Sequence, residues 1–329
     1  MRVTLVSRVR LYPLGRLLAT GLRERSEGQL DVTLSGAWSV PWLWRERAHT
    51  DLCHLHWFEL FYAYPSAALS LKRWLSSVGA LLLCRRLGIR LVATVHNVSG
   101  HESRWPRLEA WTTRLLYGLA DALHVHDAAA QAEVVRRGAD PRRVAVIPHG
   151  SYVGAYPDHC TRAEARERLG LPPDAIVYLS LGLLRPYKGL EELLLAFAAL
   201  DSPQSRLVVA GQSQQADYTA YFGNLAGRDP RVHFKPDYVP DEMLQYYFRA
   251  ADAMVLPYRA VTTSGAAYLA FSFAVPLVAP RLGPFLSLVA DDRGVLYDPG
   301  AENGLLEALS AVPCLDSEAV RRSCQAFNE

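Results

Sequence analysis

Short apolar runs alternate with longer amphipathic stretches along the whole chain. The runs in the first half are RVTLVS, DVTLSG, DLCHLHW, RLVATVHN, ALHVHD and VAVIPH, and those in the second half are IVYLSLG, RLVVAG, VHFKP, AMVLPY, PLVAP and GVLYDP. Most neighbouring runs are separated by a stretch of helical periodicity, roughly 10–15 residues long. Short strands separated by such helices are typical of βαβ units, so the pattern predicts an α/β protein with parallel sheets.

The twelve strand-like runs fall into two groups of six. A length of 329 residues suits two domains of about 150 residues each. The segment PHGSYVGAYPDH (148–159) is rich in Gly, Pro and Tyr and has no helical or strand periodicity, as expected of a joint between domains. We therefore predict two Rossmann-like domains, residues 1–155 and residues 156–329.

The net charge of +2 hides an uneven distribution of charged residues. Residues 1–155 contain 20 Lys and Arg against 12 Asp and Glu, which gives +8, whereas the remainder contains 15 against 21, which gives −6. This asymmetry favours an anionic partner for the first half, and a chance excess of surface arginine is the alternative. The aromatic residues are not spaced as base-stacking platforms along a basic groove, so nucleic acid is not an expected partner.

Cysteine usage and hydropathy bear on the compartment. The five cysteines are scattered without CxxC spacing, which argues against a zinc site and fits reduced thiols in the cytoplasm. The opening MRVTLVS is too short for a signal peptide and reads as a first strand. The most apolar segment, 65–88, is interrupted by Lys72 and Arg73 and is a poor membrane span; it reads as a helix covering a sheet or as a basic surface for an anionic membrane. WSVPWLWRER (38–47) reads as an acceptor-facing or lipid-facing loop, or as packing.

Ligands of doubly wound sheets bind beyond the carboxyl ends of the strands, and that rule selects the residues to consider. In the first half those ends carry Ser7–Arg8, His56–Trp57, His96–Asn97, His126–Asp127 and His149–Gly150. In the second half they carry Gly182–Arg185, Gly211–Gln212, Pro257–Tyr258 and Pro280–Arg281. Four of the ten histidines therefore end first-half strands, where an imidazole can handle a proton or a hydroxyl group.

Two cations lie in the short joint after IVYLSL. Arg185 and Lys188 stand in GLLRPYKGLEELLLAF, just before a predicted apolar helix whose N-terminus exposes unpaired N–H groups. A guanidinium fork and an ammonium beside such a helix predict a diphosphate site, and a solvated surface pair is the alternative. Neither GxxxxGK[ST] nor a GxGxxG after the first strand occurs, which argues against a P-loop nucleotide and a nicotinamide dinucleotide.

The same stretch resembles the G-x-L-x-x-x-K-G motif of the retaining glycosyltransferases of family four (group 1), which have the GT-B fold. RLVVAGQS, YVPDEMLQYYFRAADAMVLPY and AVPLVAPRLGPFLSLVADDRGVLYDPG resemble later family segments, and DLCHLHW, VATVHNVSGHE, ADALHVHD and VIPHGSY resemble earlier ones, all in the family's order. The resemblance covers nearly the whole chain. It implies two Rossmann-like domains that face each other across a cleft.

The resemblance also implies residue roles. Arg185 and Lys188 match the pair that holds the donor diphosphate, and Gly182 matches the glycine that lets the backbone approach it. His96 matches the catalytic histidine beside the reacting sugar. The acceptor-side positions are Arg8, which stands where the family has a glycine pair, His56 and Trp57 after the third strand, and Asn97 and His101 on the loop that follows His96.

The chain departs from the family where two glutamates, eight residues apart, contact the donor. Counting back from Pro276 places these positions at Val261 and Leu269, neither of which is acidic. The segment TTSG stands nearby, and Thr263, Ser264 and Gly265 are predicted to bind the donor at a helix start, or simply to cap that helix. The departure weakens the case for retention and for any particular donor.

Together with the resemblance, these features predict a metal-independent, retaining hexosyltransferase, because the family is retaining, fixed cations stabilise the leaving diphosphate and no D-x-D motif stands at a strand end. The expected substrates are a nucleotide-diphosphate sugar and a saccharide or lipid-linked acceptor, as in polysaccharide or glycoconjugate synthesis, with no cofactor. The expected location is the cytoplasm, including the inner face of the membrane. The alternatives are a sugar-nucleotide epimerase, a non-catalytic sugar-nucleotide-binding partner of another transferase, and an inverting transferase.

Overall fold

A computed structural model describes residues 1–9, 13–96, 105–213, 215–289 and 292–328. They form two compact units, Met1–His149 and Gly150–Glu329. The division lies within the predicted joint 148–159, somewhat before the predicted boundary at 155/156.

The first unit is built on a parallel sheet of six strands in the order β2-β1-β3-β4-β5-β6. The strands are β1 Arg2–Val6, β2 Asp31–Ser35, β3 Leu52–His56, β4 Arg90–Thr94, β5 Ala122–Val125 and β6 Val144–Val146. The register pairs His56 with Thr94 and Thr94 with His124. Because alternate residues of a strand point to the same face, this register aligns the histidines of β3 and β5 with Thr94 on one face.

Five helices accompany this sheet: α1 Leu14–Arg25, α2 Val40–Glu46, α3 Ala67–Leu87, α4 Pro106–Leu119 and α5 Ala128–Arg136. One face of the sheet, with Leu55, Ala93 and Val125, joins a core that includes residues of α2, α3, α4 and α5. A smaller core joins α1 to Val3 and Leu5 of β1. The segment WSVPWLWRER is largely helical rather than a loop, because α2 spans Val40–Glu46. Ser39 caps this helix, since its side chain accepts from the N–H of Trp42.

Helix α3 differs from the expectation for 65–88. Despite Lys72 and Arg73, it is the one helix among the described residues that is long and apolar enough, by length and composition alone, to cross a membrane. Its buried side, which includes Ala80, Leu81 and Cys84, packs in the core of the first unit. A core helix of a folded domain also satisfies that length and composition test.

The second unit has its own six-stranded parallel sheet, in the order β12-β11-β10-β7-β8-β9. The strands are β7 Ile176–Leu181, β8 Ser205–Ala210, β9 Val232–Lys235, β10 Ala253–Val255, β11 Leu277–Pro280 and β12 Gly294–Tyr297. The helices are α6 Arg162–Leu169, α7 Leu190–Ala198, α8 Ala216–Ala226, α9 Leu244–Ala250, α10 Gly265–Ser272, α11 Phe285–Leu288, α12 Gly304–Ala311 and α13 Ser317–Asn328. Apolar side chains of β7, β8, β10 and α7 form its main core.

Each sheet has one point at which the strand order reverses. In the first sheet β1 lies between β2 and β3, so the reversal falls between β1 and β3. In the second sheet the reversal falls between β7 and β10. Ligands of open α/β sheets bind at such points, outside the carboxyl ends of the strands. Two places for a site follow, one in each unit.

Candidate functional site

The second unit brings backbone segments into close approach where β7 and β8 end. Gly182 follows β7 with φ +129°, a conformation that favours glycine. A Cβ on Gly211, which follows β8, would lie 2.1 Å from the carbonyl oxygen of Gly182. Glycine at both positions therefore allows the backbones at the two strand ends to lie in close contact.

The side chain of Lys188 reaches the end of β7, because the chain turns at Gly189, directly after it. A short 3₁₀ helix, Pro186–Lys188, ends at Gly189 with φ +65°, where a Cβ would lie 1.9 Å from the carbonyl oxygen of Pro257. The Nζ atom of Lys188 consequently lies 3.0 Å from the position of a Cβ on Gly182 and 5.5 Å from the ring centroid of Tyr258. The ammonium is thus held between the ends of β7 and β10.

Burial is the main influence on this cation. Desolvation lowers the pKa of Lys188; the neighbouring Tyr187 opposes that shift and Arg185 adds to it. Among the described residues no carboxylate pairs with Lys188. A desolvated cation without a carboxylate is a strong attractor for an anion.

The loop after β10 closes the other side of this place. The N–H of Arg259 donates to the carbonyl oxygen of Tyr187 at 2.8 Å, and its Nε donates to Oε1 of Glu192 at 2.6 Å. The Tyr258 ring packs edge-on against Tyr187 at 5.8 Å, and burial raises the pKa of Tyr258 to about 12. The charge of Arg259 is thus compensated by Glu192, unlike that of Lys188.

The segment TTSG opens α10, and the structure separates its hydroxyl groups. Ser264 is buried and caps the helix, since its Oγ accepts from the N–H of Ala267 at 3.3 Å. The Oγ1 atom of Thr263 is also buried, but no described residue provides it with a hydrogen-bond partner. The cap interpretation therefore accounts for Ser264 and leaves Thr263 to be explained.

Apolar side chains occupy the positions of the two absent glutamates. Leu269 lies in the middle of α10 and is 9% exposed. The carbonyl oxygen of Val261 lies 2.9 Å from the position of a Cβ on Gly283, which follows β11. Leu269 is a packing residue, so this unit has no carboxylate at that place.

The strand ends of the first unit carry imidazoles instead of cations. His56, His96 and His126 are each less than 9% exposed, and His149 is similarly buried. The Nδ1 atom of His126 lies 3.3 Å from the carbonyl oxygen of Ile147, and its Nε2 lies 3.3 Å from Nδ1 of His96. The Nε2 atom of His96 in turn lies 3.0 Å from Nδ1 of His56. These three rings form one hydrogen-bonded row across β5, β4 and β3.

A second row runs alongside. The Nε2 atom of His124 lies 2.8 Å from the same carbonyl oxygen of Ile147, and its Nδ1 lies 3.0 Å from Oγ1 of Thr94. Thr94 also meets Nε2 of His54 at 2.8 Å. Sequence reasoning named His126 only as a strand end and missed His54, His124 and Ile147. The repeated H-x-H of DLCHLHW and ADALHVHD was the available signal, because a two-residue period places both histidines on one face.

Trp57 covers the predicted catalytic histidine. Its ring stacks on His96 at 3.7 Å between centroids and 6° between planes. Its backbone has φ 46° and ψ 58°, a left-handed conformation that is costly for a bulky residue. Both ring nitrogens of His96 and one face of its ring are therefore engaged by neighbouring side chains.

The row is held in the neutral form. Burial lowers the pKa of His56 and of His96 well below the usual value, and neighbouring imidazoles add to the effect. Burial likewise lowers the pKa of His126 to about 3 and that of His54 to about 4. Uncharged imidazoles act as hydrogen-bond donors and acceptors rather than as cations.

The remaining acceptor-side predictions have separate outcomes. Arg8 donates through Nη1 to the carbonyl oxygen of Leu60 at 2.8 Å and to the hydroxyl of Tyr64, so it fastens the segment after β3. Asn97 and His101 lie outside the described residues.

Comparison with known proteins decides the family. Residues 161–322 match the family described as glycosyl transferases group 1, and residues 22–151 match glycosyltransferase family 4. A protein named D-inositol 3-phosphate glycosyltransferase 2, from Catenulispora acidiphila, is 30% identical to this chain over 92% of the chain and 73% of its own length. The chain belongs to the group 1 glycosyltransferases. The identification made from the sequence motifs is confirmed, and so is the prediction that the protein is a glycosyltransferase.

A further relative and a solved structure are also similar to this chain. A GDP-mannose:glycolipid 4-beta-D-mannosyltransferase from Xanthomonas campestris pv. campestris is 28% identical over 80% of this chain and 72% of its own length. The crystal structure of Anabaena HepE in complex with UDP and glucose superimposes with a TM-score of 0.73, at 18% identity, over 100% of this chain and 94% of that one. The predicted GT-B fold, with two Rossmann-like domains, is confirmed.

Proposed function

We propose that this glycosyltransferase transfers a hexose from a nucleotide-diphosphate sugar, and that the second unit binds the donor. The observation that carries the proposal is the position of Lys188. Its desolvated ammonium lies over Gly182 at the β7/β10 reversal and has no carboxylate partner among the described residues. Arg185 lies three residues earlier on the same loop and supplies a second cation for the two phosphates.

Thr263, Ser264 and Gly265 would complete the donor site at the start of α10. Ribose and sugar hydroxyls require hydrogen-bond partners when they are buried, and the usual glutamates are absent. The buried Oγ1 of Thr263, which no described residue satisfies, is the group most in need of a ligand. The backbone N–H groups at Ser264 and Gly265 open the helix, where oxygen atoms of a ligand are favoured.

In this proposal, the main catalytic effect is stabilisation of the leaving diphosphate. Negative charge develops on the diphosphate as the bond to the sugar breaks, and preorganised cations stabilise that charge. Lys188 and Arg185 would do this without a metal ion, so transfer is expected to persist in a chelator such as EDTA. Among the described residues, no group of His, Cys, Asp and Glu is arranged to hold a metal.

The first unit would bind the acceptor. His96 remains the proposed catalytic-centre histidine, held by His56 and His126 and covered by Trp57. Arg8 would support this part of the acceptor site, because it fastens the segment after β3. Relatives are named for glycolipid and inositol phosphate acceptors, which supports a saccharide or lipid-linked acceptor here.

A peripheral membrane contact on the cytoplasmic side is also part of the proposal. Helix α3 exposes Leu71, Leu75 and Leu82, each more than half exposed, beside the cations Lys72 and Arg73. Apolar side chains flanked by cations suit an anionic bilayer surface. Flotation of the protein with anionic vesicles but not with neutral ones would support the contact. Equal recovery of the protein with the two kinds of vesicle would argue against it.

Stereochemistry has two candidate outcomes. The family motifs resemble those of retaining enzymes, which favours retention. The absence of the glutamates and the β linkage in the name of the Xanthomonas relative favour inversion as the second candidate. The anomeric configuration of the product distinguishes the two.

The proposal is tested by thermal unfolding with a panel of sugar nucleotides. A ligand that binds only the folded protein raises the unfolding temperature, so one nucleotide-diphosphate sugar should stand out and the matching nucleoside monophosphate should not. The selected donor is then incubated with glycolipid and saccharide acceptors, with and without EDTA. Release of free nucleotide without a glycosylated product would favour an epimerase, and donor binding without turnover would favour a non-catalytic partner.

A further inference from the structure

The row of three imidazoles in the first unit ends at an unsatisfied atom. His56 is 4% exposed, and its Nε2 is buried without a hydrogen-bond partner among the described residues. The other ring nitrogens of the row are engaged by a neighbouring ring or by the carbonyl of Ile147. Among the described residues, Nε2 of His56 is therefore the one ring nitrogen of this row that lacks a hydrogen-bond partner.

The carbonyl of Ile147 fixes the direction of the row. A carbonyl oxygen only accepts, so Nδ1 of His126 carries the hydrogen, and the Nε2 of this neutral ring accepts from Nδ1–H of His96. The same reasoning makes Nε2 of His96 accept from Nδ1–H of His56. His56 then has no second hydrogen, and its Nε2 presents a bare lone pair.

The parallel row has the opposite tautomers. The Nε2 atom of His124 must carry the hydrogen that faces Ile147, so its Nδ1 accepts from the hydroxyl of Thr94. Thr94 has then used its hydrogen and accepts from Nε2–H of His54. One carbonyl thus fixes two rows in opposite senses, which provides an internal control.

The unsatisfied end lies at the place where ligands bind in such sheets. His56 ends β3, next to β1, at the point where the strand order of the first sheet reverses. The next residue, Trp57, has a left-handed backbone, a strained conformation that clusters at functional sites. A buried lone pair without a donor costs free energy, and that cost is removed when a ligand hydroxyl donates to it.

We propose that Nε2 of His56 accepts a hydrogen bond from a hydroxyl group of the acceptor substrate, and that His126 is a positioning residue that, through the ring of His96, holds His56 in the required tautomer. This inference rests on the proposed function, since it concerns the acceptor of the same reaction. By accepting this hydrogen bond, His56 would orient the hydroxyl oxygen of the acceptor toward the sugar that is transferred. Because burial keeps these imidazoles neutral, the row accepts a hydrogen bond rather than the proton itself.

The tautomers are measured on the protein alone, by ¹⁵N NMR of labelled histidine rings assigned with single variants. His56, His96 and His126 should show hydrogen on Nδ1, and His54 and His124 should show it on Nε2. Hydrogen on Nε2 of His56 would overturn the inference. No substrate is needed for this measurement, so it stands apart from the outcome of the donor panel.

Substitutions at the far end of the row separate positioning from simple packing. His126→Leu removes the acceptor for Nδ1–H of His96, so His56 should lose its single tautomer although it is two rings away. His126→Gln keeps an acceptor oxygen near the former Nε2 and should restore it. Thr94→Val breaks only the parallel row and should leave the His56 spectrum unchanged. A His56 tautomer that is insensitive to His126→Leu would overturn the row.

The ligand role is read with the donor and acceptor identified by the activity assay. The ¹⁵N resonance of His56 Nε2 should shift on addition of acceptor and not on addition of the nucleoside diphosphate. His126→Leu should lower kcat/KM for the acceptor by about twofold to tenfold, with the KM for the donor unchanged, and His126→Gln should recover it. An ordered water that keeps donating to Nε2 in an acceptor complex would overturn the assignment. If no sugar nucleotide binds at all, the proposed function fails, and the spectra still decide the tautomers.

Discussion

The two units use sheets of the same size and strand direction but place different chemistry at the strand ends. At the β7/β10 reversal of the second unit, a desolvated ammonium lies against glycine backbone, with Arg185 on the same loop. At the β1/β3 reversal of the first unit, a neutral imidazole ends a hydrogen-bonded row. A fixed cation suits a phosphate, and a neutral acceptor suits a hydroxyl group. The comparison therefore supports the proposal that the second unit binds the donor and the first unit binds the acceptor.

The overall charge of the units points the other way. Residues 1–149 contain the same 20 Lys and Arg and 12 Asp and Glu as residues 1–155, so the unit with neutral strand ends carries +8 and the unit with the cation site carries −6. Many of the first unit's arginines are paired at its surface, as Arg2 is with Asp51 and Arg142 with Asp140. Net charge therefore describes the surface of each unit and does not locate the diphosphate.

The largest expected effect comes from breaking the imidazole row at its centre. His96→Ala should lower turnover by about 10²- to 10⁴-fold while leaving donor affinity nearly unchanged, because a positioned polar group at the reacting centre is lost. The exposed His49 provides the matched control, since His49→Ala should change neither quantity. Steady-state kinetics and donor titration distinguish the two. Near-normal turnover in His96→Ala would remove this histidine from the mechanism.

Removal of the desolvated cation should act on the other half of the reaction. Lys188→Met and Arg185→Ala should each weaken nucleotide-diphosphate binding by about tenfold or more, since a charge-assisted hydrogen bond is worth about 1.5–3 kcal/mol. Lys188→Met should not lower the unfolding temperature of the free protein, because it removes a partly buried charge that has no carboxylate partner among the described residues and keeps a similar side-chain volume. Arg228→Ala, which removes an exposed cation next to the end of α8, is the control. Unchanged titration curves in both site variants would contradict the assignment.

Mild acid should distinguish the units by stability. Folding lowers the pKa of the buried histidines of both rows, so below about pH 6.5 the unfolded chain binds more protons than the folded one. The free energy of unfolding of the first unit should therefore fall by about 1 kcal/mol per such imidazole between pH 7 and pH 5.5. This contribution is fully present above the unfolded-state pKa and is lost as the pH falls. Hydrogen exchange of peptides from β3, β4 and β5 measures the loss, after correction for the intrinsic pH dependence of exchange. Equal protection of these peptides at both pH values would show that the row is not held neutral.

The smallest expected effect concerns the start of α10. Thr263→Val should leave stability unchanged, because its Oγ1 has no partner among the described residues, and should weaken donor binding by a few fold. Ser264→Ala should instead cost about 1 kcal/mol of stability through the lost cap. Gly265→Val should block close approach of the donor to the backbone. Thermal unfolding and donor titration are measured on all three. If none of them alters donor binding, the segment TTSG is only a helix cap.

The strands and the joint that carries Arg185 and Lys188 could be predicted because they depend on local patterns: short apolar runs, turn residues and family motifs. Helix α6 was missed although its start, TRAE, has the signature of a capping box, and the structure shows that box between Thr161 and Glu164. The imidazole row could not be fully predicted, since its direction depends on one carbonyl, that of Ile147, brought to His126 by the pairing of β5 with β6. The solvation of Lys188 likewise depends on packing that no single segment contains.

The central claim is that the donor diphosphate binds to the cations of the second unit and not to the imidazoles of the first. A crystal structure with a bound nucleoside diphosphate tests it most directly. We expect phosphate oxygens within hydrogen-bond distance of Lys188 and Arg185, a ribose or sugar hydroxyl near Thr263, Ser264 or Gly265, and no phosphate contact with His56, His96 or His126. Phosphates bound to those histidines, or a nucleotide distant from Lys188, would contradict it.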